Sequence, residues 1–411
     1  MVREAQSNLA TTDELHLQRA LQLAEETAAL ASPNPTVGCV IALGDRVLGE
    51  GAHLYDNLDH AEIAALKQAA TLGNNVHGAT AYVTLEPCAH HGRTPPCANA
   101  LIIAGISHCV IATVDPNPLV RGQGVAKLRT AGIVVDIAEP DSPIAQHART
   151  LNDAFAYSIQ HGGLPFVTLK AALSADGYLA PPSAARTSTT PHWLTGSAAR
   201  ADVQHLRHTS DAILTGIGTI LADNPSLNDR TGLPRRRPLL RVILDSDLRT
   251  PPIFAVISTE AKPSGEIPAF WDASTVLIFC RASAPADREA ALIAAGAEVI
   301  RLTDDSRTLD LRAVLTTLAT RKILSVLLEA GPTLNGSFLR ELLAQKLVIY
   351  YAPTELGDGS IPFAAGSVSP IDLEPELTNT SHATFPHGNS EDTRLTGYLH
   401  NPWTGIETSG I

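Results

Sequence analysis

Short apolar runs of strand length alternate with amphipathic helical stretches twice along this chain, and a helical stretch from Asp141 to Gly163 separates the two series. Strands alternating with helices predict layered α/β domains. The first series runs through VGCVIAL, a helix from His60 to Ala70, TAYVTL, a helix from Pro96 to Ala104, CVIATV, a helix around Val125–Ala131 and IVVDI. A helix precedes it near Thr11, where Thr11 and Glu14 have the spacing of a capping box. The second series comprises FVTLK, DAILTGIG, RVILDS, TVLIFC, EVIRL, ILSVLLEA, LVIYYAP and TRLTGYL. No repeat relates the halves. A chain of 411 residues exceeds one ordinary core. The expected division is 1–150, a connector over 151–164, and 165–411.

Charge and cysteine content exclude several classes. A net charge of −12 and only 4% aromatic residues argue against a nucleic-acid-binding face. The run Arg235-Arg236-Arg237, bracketed by Pro234 and Pro238, reads as a solvated loop. No apolar stretch approaches the roughly 18 residues of a membrane span, and the N-terminus lacks an apolar signal core. Five cysteines, an odd number, fit a reducing compartment. The expectation is a cytoplasmic enzyme of small molecules, its oligomeric state left open, a homo-oligomer included. Cys39, Cys109 and Cys280 lie in apolar runs and read as core.

Cys88 and Cys97 stand apart. His60-Ala61-Glu62 is followed by Glu86-Pro87-Cys88 and, after eight intervening residues, by Cys97. One imidazole and two thiolates suit Zn2+, and three protein ligands leave a position for catalysis. Such a site activates water near neutral pH for attack on an amidine carbon. His60 and Glu62 cannot share a mid-helix face, but at a first turn both can address the space beyond the helix end. Cys97 likewise opens a helix, with Pro96 suited to the first helical position. Glu62 is then the proton carrier. His-x-Glu with Pro-Cys and a second cysteine is the pattern of zinc base deaminases, although here eight residues separate the cysteines instead of two. His90 and His91, within that insertion, are rival ligands to Cys97, and a purely structural zinc is the plainer alternative.

In the second half no G-x-G-x-x-G follows the first strand, so a Rossmann site is not expected. LTGIGT (Leu214 to Thr219) and EAGPTLNG (Glu329 to Gly336) place glycines and hydroxyls after apolar runs. The second leads into a helix whose start could hold phosphate, or is an ordinary connection.

The motif HAE with EPCAHHGRTPPC, together with Asn34-Pro35-Thr36-Val37-Gly38, Gly51-Ala52-His53 and Asp115-Pro116-Asn117-Pro118, resembles the bifunctional deaminase–reductases of riboflavin biosynthesis. LKAALSADG, HWLT, DVQHLR, DAILTGIGTILADNP and LLEAGPTLNG are similar to that family's reductase half. The resemblance implies a cytidine-deaminase-like α/β/α domain followed by a dihydrofolate-reductase-like α/β domain. It further implies zinc on His60, Cys88 and Cys97, with Glu62 catalytic. Substrate contacts are implied at Asn34, His53, Arg93, Asp115 and Asn117. In the reductase it implies NADPH contacts at Ala172, Trp193, Thr219, Asp223, Ser246, Gly331, Pro332, Thr333 and Leu334, and substrate contacts at Arg207, Leu227, Arg230 and Glu329. Bland roles stand beside these: a turn for Asn34, a core aromatic for Trp193, a helix cap for Asp223. The chain departs from the family at Ala175 and at Pro191, which lacks both N–H and hydroxyl. The alternative is a nucleobase or nucleic-acid deaminase with a non-catalytic nucleotide-binding C-terminal half.

Overall fold

The computed structural model describes residues 9–90, 95–182, 193–258, 275–303, 308–366 and 369–406. They form two compact units, residues 1–162 with 402–411, and residues 163–401. The return of the C-terminus to the first unit has a local cause: Trp403 packs with Val114 and Ala156 there, and its indole N–H donates to Asp153 at 3.1 Å.

The first unit runs α1 (Thr11–Glu26), α2 (Ala28–Ala31), β1 (Gly38–Leu43), β2 (Arg46–Ala52), α3 (Ala61–Thr71), β3 (Thr80–Val83), α4 (Cys97–Ile103), β4 (His108–Ile111), α5 (Gln123–Thr130), β5 (Val134–Ile137), α6 (Pro143–Leu151) and α7 (Asp153–Gln160). Its sheet has the order β2-β1-β3-β4-β5. β1 is antiparallel to both neighbours and β3, β4 and β5 are parallel. Both faces are covered, which explains the continuous apolar run in β1. Cys39 and Ile41 pack with Leu101 and Leu128 on one face, while Val40 and Ala42 meet Leu17, Leu21 and Ile144 on the other.

The second unit comprises β6 (Phe166–Leu173), β7 (Tyr178–Ala180), α8 (Ser197–Thr209), β8 (Ala212–Gly216), α9 (Ile217–Asp223), β9 (Leu240–Leu244), α10 (Ala255–Ser258), β10 (Val276–Arg281), α11 (Ala286–Ala294), β11 (Glu298–Leu302), α12 (Leu311–Thr320), β12 (Ser325–Leu328), α13 (Pro332–Arg340), β13 (Lys346–Tyr351), β14 (Ile361–Pro362), α14 (Pro370–Leu373), β15 (Thr378–His387) and β16 (Ser390–Tyr398). The main sheet has the order β11-β10-β9-β8-β12-β6-β13-β16-β15. It is parallel from β11 to β13 and antiparallel over the last two pairs. In a parallel array all carboxyl ends lie on one edge, so the loops after β6, β8, β9 and β12 gather there.

Several expectations are corrected. The capping box does not form: Thr11 is already helical, and Ala10 caps without a side-chain bond. His60 and Pro96 are N-caps rather than first helical residues. β2, β7, β14 and β15 were not anticipated. The arginine run is not a solvated loop either. Arg235 pairs with Asp229 at 3.1 Å and also donates to the Ser210 carbonyl, and the buried Arg237 pairs with Asp211 at 3.5 Å. Cys39, Cys109 and Cys280 are buried free thiols, as expected.

Candidate active sites

In the first unit two helix starts meet. His60 caps α3, Glu62 lies in its first turn, and Cys97 opens α4. Cys88 follows β3. The Cys97 N–H donates to Cys88 Sγ at 3.3 Å, which fixes one sulfur against the end of the helix carrying the other. His60 Nδ1 lies 3.6 Å from Cys88 Sγ and 3.3 Å from Cys97 Sγ. Tetrahedral zinc with ordinary Zn–N and Zn–S bonds would separate such atoms by about 3.5 Å. The donor set therefore fits zinc in both chemistry and spacing. These three residues are a candidate metal cluster among the described residues.

The electrostatics match. A hydrogen bond from the Cys97 thiol and another from His60 outweigh burial and draw the Cys88 thiol down to about 4, while its partner Cys97 is pushed up. Two thiols sharing one site cannot ionise independently. Glu62 is buried and, by burial and the nearby Cys88 sulfur, raised to about 7. Both of its protonation states are therefore accessible near neutrality, which suits a group that must accept and then give a proton.

Asn34 and His53 come together beside this cluster. Asn34 Nδ2 lies 3.0 Å from His53 Nε2, and the His53 ring meets His60 edge-on at 5.4 Å. Burial lowers the affinity of His53 for a second proton. Asp115 and Asn117 form a turn after β4, with the Asn117 N–H donating to Asp115 at 2.8 Å. Burial raises the Asp115 carboxyl to about 6. Arg93 and His91 lie outside the described residues.

Glu86, read in the sequence merely as part of the motif, is a central positioning group. Its buried carboxylate accepts the N–H groups of Asp115, Gly122, Gly124 and Val125 at 2.9–3.3 Å. It thereby ties the Asp115 turn and the start of α5 to the Cys88 segment. A Cβ on Gly124 would stand 2.0 Å from the Pro87 carbonyl, so that approach requires glycine.

In the second unit, Thr219 and Gly331 face each other: a Cβ on Gly331 would lie 3.9 Å from Thr219 Oγ1. Gly331 caps α13 and Pro332 takes its first position. The first backbone bond runs from Asn335 to Gly331, leaving the Thr333 and Leu334 N–H groups for an anion. The Leu334 side chain meets the same turn, 3.7 Å from a Cβ on Gly216. Ala172 near the end of β6 and Ser246 after β9 lie on the same edge of the sheet. This glycine-lined cradle fits a cofactor diphosphate. Trp193 is 60% exposed, which removes the core-aromatic alternative, and the Arg200 guanidinium lies 5.2 Å over its ring. Asp223 ends α9, exposed, and Arg230 is exposed with its N–H on Gln204.

Arg207 and Glu329 form a bidentate pair at 2.8 and 3.0 Å, and Lys170 Nζ stands 3.7 Å from the same carboxylate. Burial works against ionising Glu329, but the Arg207 and Lys170 charges hold it down at about 2. Burial lowers the Lys170 ammonium. Leu227 is buried among Ile213, Ile220 and Ile243, so only its backbone, at φ 50°, can address a substrate.

The comparisons agree with both halves. Residues 10–113 match the cytidine and deoxycytidylate deaminase zinc-binding region, and residues 165–389 match the RibD C-terminal domain. The riboflavin biosynthesis protein RibD of Bacillus amyloliquefaciens is 37% identical, over 85% of this chain and 87% of that one. Its counterpart in Escherichia coli K12 is 36% identical, over 84% and 89%. The chain belongs to the RibD family. Among solved structures, Acinetobacter baumannii RibD aligns with TM-score 0.72 at 36% identity, covering 94% of this chain and 98% of that one. A Thermotoga maritima diaminohydroxyphosphoribosylaminopyrimidine deaminase/5-amino-6-(5-phosphoribosylamino)uracil reductase gives 0.74 at 31%, covering 94% and 99%. This RibD-family chain is accordingly a bifunctional deaminase–reductase of riboflavin biosynthesis that uses zinc and NADPH. Among the described residues no helix is long and apolar enough to cross a membrane.

The ligand assignment has a direct check. Cys97→Ser should reduce zinc well below one per chain by elemental analysis and abolish deamination, while His91→Ala retains the metal. Full zinc in Cys97→Ser would transfer the third position to a loop histidine.

Proposed function

We propose that the first unit hydrolyses the 2-amino group of 2,5-diamino-6-(5-phosphoribosylamino)pyrimidin-4(3H)-one, and that the second reduces the ribosyl chain of the product to ribityl. The observation that carries this is the His60–Cys88–Cys97 spacing with the buried Glu62 beside it. Zinc held by these three residues supplies Lewis acidity for the attack of water. Glu62 takes a proton from that water and gives it to the leaving amine. Asn34 and His53 present polar atoms to the pyrimidine on one side, and Asp115 and Asn117 do so on the other; Arg93 is the donor fork for the sugar phosphate.

In the second unit NADPH supplies the hydride when bound. The Gly331–Leu334 turn with Thr219 holds its diphosphate, and Ala172, Trp193, Asp223 and Ser246 contribute the remaining contacts. Glu329, kept anionic, accepts hydrogen bonds from the ribosyl hydroxyls. Arg207, Arg230 and the Leu227 backbone complete that wall. The net charge of −12 supports the absence of a nucleic-acid partner, and the free thiols support a cytoplasmic setting.

A coupled assay tests the division. His60→Ala should fail on the diaminopyrimidine, yet oxidise NADPH at the wild-type rate when given the deaminated ribosylaminouracil phosphate. A folded His60→Ala protein lacking both activities would overturn the assignment of one reaction to each unit.

A further inference from the structure

Strand directions in the first unit bring three chain segments to one edge of its sheet. Cys39 of β1 pairs with Val83 of β3, and Val83 with Ile111 of β4. Because β1 runs antiparallel to β3 while β4 runs parallel to it, the segment entering β1 emerges beside the segments leaving β3 and β4. The first carries Asn34, the second Cys88, and the third Asp115 and Asn117. Neighbouring strands lie about 4.8 Å apart, so the outer two segments stand on the order of 10 Å from each other.

One helix junction grips both of these outer segments. Arg149 and Asn152 stand about one helical turn apart where α6 gives way to α7. The buried Asn152 amide takes both backbone groups of Thr36: Oδ1 accepts its N–H at 2.8 Å, and Nδ2 donates to its carbonyl at 3.0 Å. Nδ2 also donates to the Ala148 carbonyl at 3.0 Å, which ties the amide to its own helix. Thr36 lies two residues from Asn34, and the next carbonyl, that of Val37, accepts the His53 N–H at 2.9 Å. Both polar side chains on that side of the pocket thus depend on one amide. On the other side, Arg149 Nε donates to the buried Thr113 hydroxyl at 3.3 Å, and the Thr113 carbonyl accepts the Glu86 N–H at 3.0 Å. Asp115 follows two residues on.

The junction is locked by a residue distant in sequence. The Trp403 indole N–H donates to the Arg149 carbonyl and to the Asp153 carboxylate, each at 3.1 Å. Its ring packs with Val114 and Ala156, and the Arg149 guanidinium lies 5.5 Å over it. Gln160 of α7 donates to the neighbouring Pro402 carbonyl at 2.7 Å. Trp403 therefore touches the junction at Arg149 and Asp153 and the Asp115 segment at Val114.

We infer that the α6–α7 junction, locked by Trp403, sets the spacing between the two polar edges of the deaminase pocket, with Asn152 and Trp403 as positioning residues. The inference rests on Asn34, His53 and Asp115 lining that pocket. Both residues act through backbone segments, so they govern affinity for the pyrimidine and spare the proton transfers of Glu62.

Steady-state deamination by the full-length, zinc-loaded protein tests this. Asn152→Ala and Trp403→Ala should each raise KM for the diaminopyrimidine about 10-fold, the effect of losing a buried hydrogen-bonded contact. Zinc content, kcat and reduction of the deaminated substrate should stay near wild type. Trp403→Phe keeps the packing on Val114 and Ala156 and should restore most of the affinity. The double variant Asn34→Ala/Asn152→Ala should show less than the product of the two single effects, because one change acts through the other. A fall in kcat at unchanged KM, the mark of a smaller active fraction, overturns the inference, and so does a full product in the double variant. Should Asn152→Ala fail to fold, the two Trp403 variants decide by the same criterion. A wild-type KM in Asn34→Ala would instead remove the pocket reading on which the inference rests.

Discussion

Glu62→Gln should bind a full complement of zinc and lose deaminase turnover by at least about 10³-fold. Glutamine keeps the shape and a hydrogen-bonding oxygen but cannot carry a proton. A single general acid–base transfer is worth roughly 10²–10⁴-fold, and this residue serves both water and leaving amine. Glu62 is 3% exposed, so bulk solvent reaches it poorly. Reduction of the deaminated substrate by the same protein should be unchanged, which separates chemistry from misfolding. Deaminase turnover within tenfold of wild type, with zinc present, would exclude Glu62 as the carrier.

Much of this was legible in the residues, for identifiable reasons. A helix start is a local event, so His60, Glu62 and Cys97 could be placed at first turns from their positions alone, and the structure puts them there within one residue. The apolar strands were legible because both sheet faces are covered. β15 was not: its TNTSHATFPH sequence is mostly exposed at the sheet edge and carries no apolar run. The arginine run misled because proline-bracketed charge looks solvated, whereas Asp211 and Asp229 are brought to it by folding. Glu86 was similarly hidden. Its donors lie 29 to 39 residues away and are backbone groups without a side-chain signature. Leu227 could be located in sequence, but not the direction of its side chain.

Glu329→Ala should abolish reduction and lower the stability of the second unit by about 3–5 kcal/mol, the cost of removing one partner from a buried ion cluster. The carboxylate is held between Arg207 and Lys170, with side-chain exposures of only 11–13% across the three. Without it, two cations remain in a poorly solvated place, and Lys170, already disfavoured by burial, should lose its proton more readily. The pH dependence has a definite sign. Glu329 titrates near 2 when folded, against about 4.5 in an unfolded chain. Its contribution is therefore fully present above about pH 4.5 and is lost as pH falls toward 2. Glu329→Gln separates the two effects, since it restores volume and one acceptor but not charge: it should recover part of the stability and little of the reduction. Denaturant unfolding of the second unit, followed with the rate of NADPH oxidation, measures both. An alanine variant as stable as wild type, or one that reduces substrate normally, would remove Glu329 from the centre of this site.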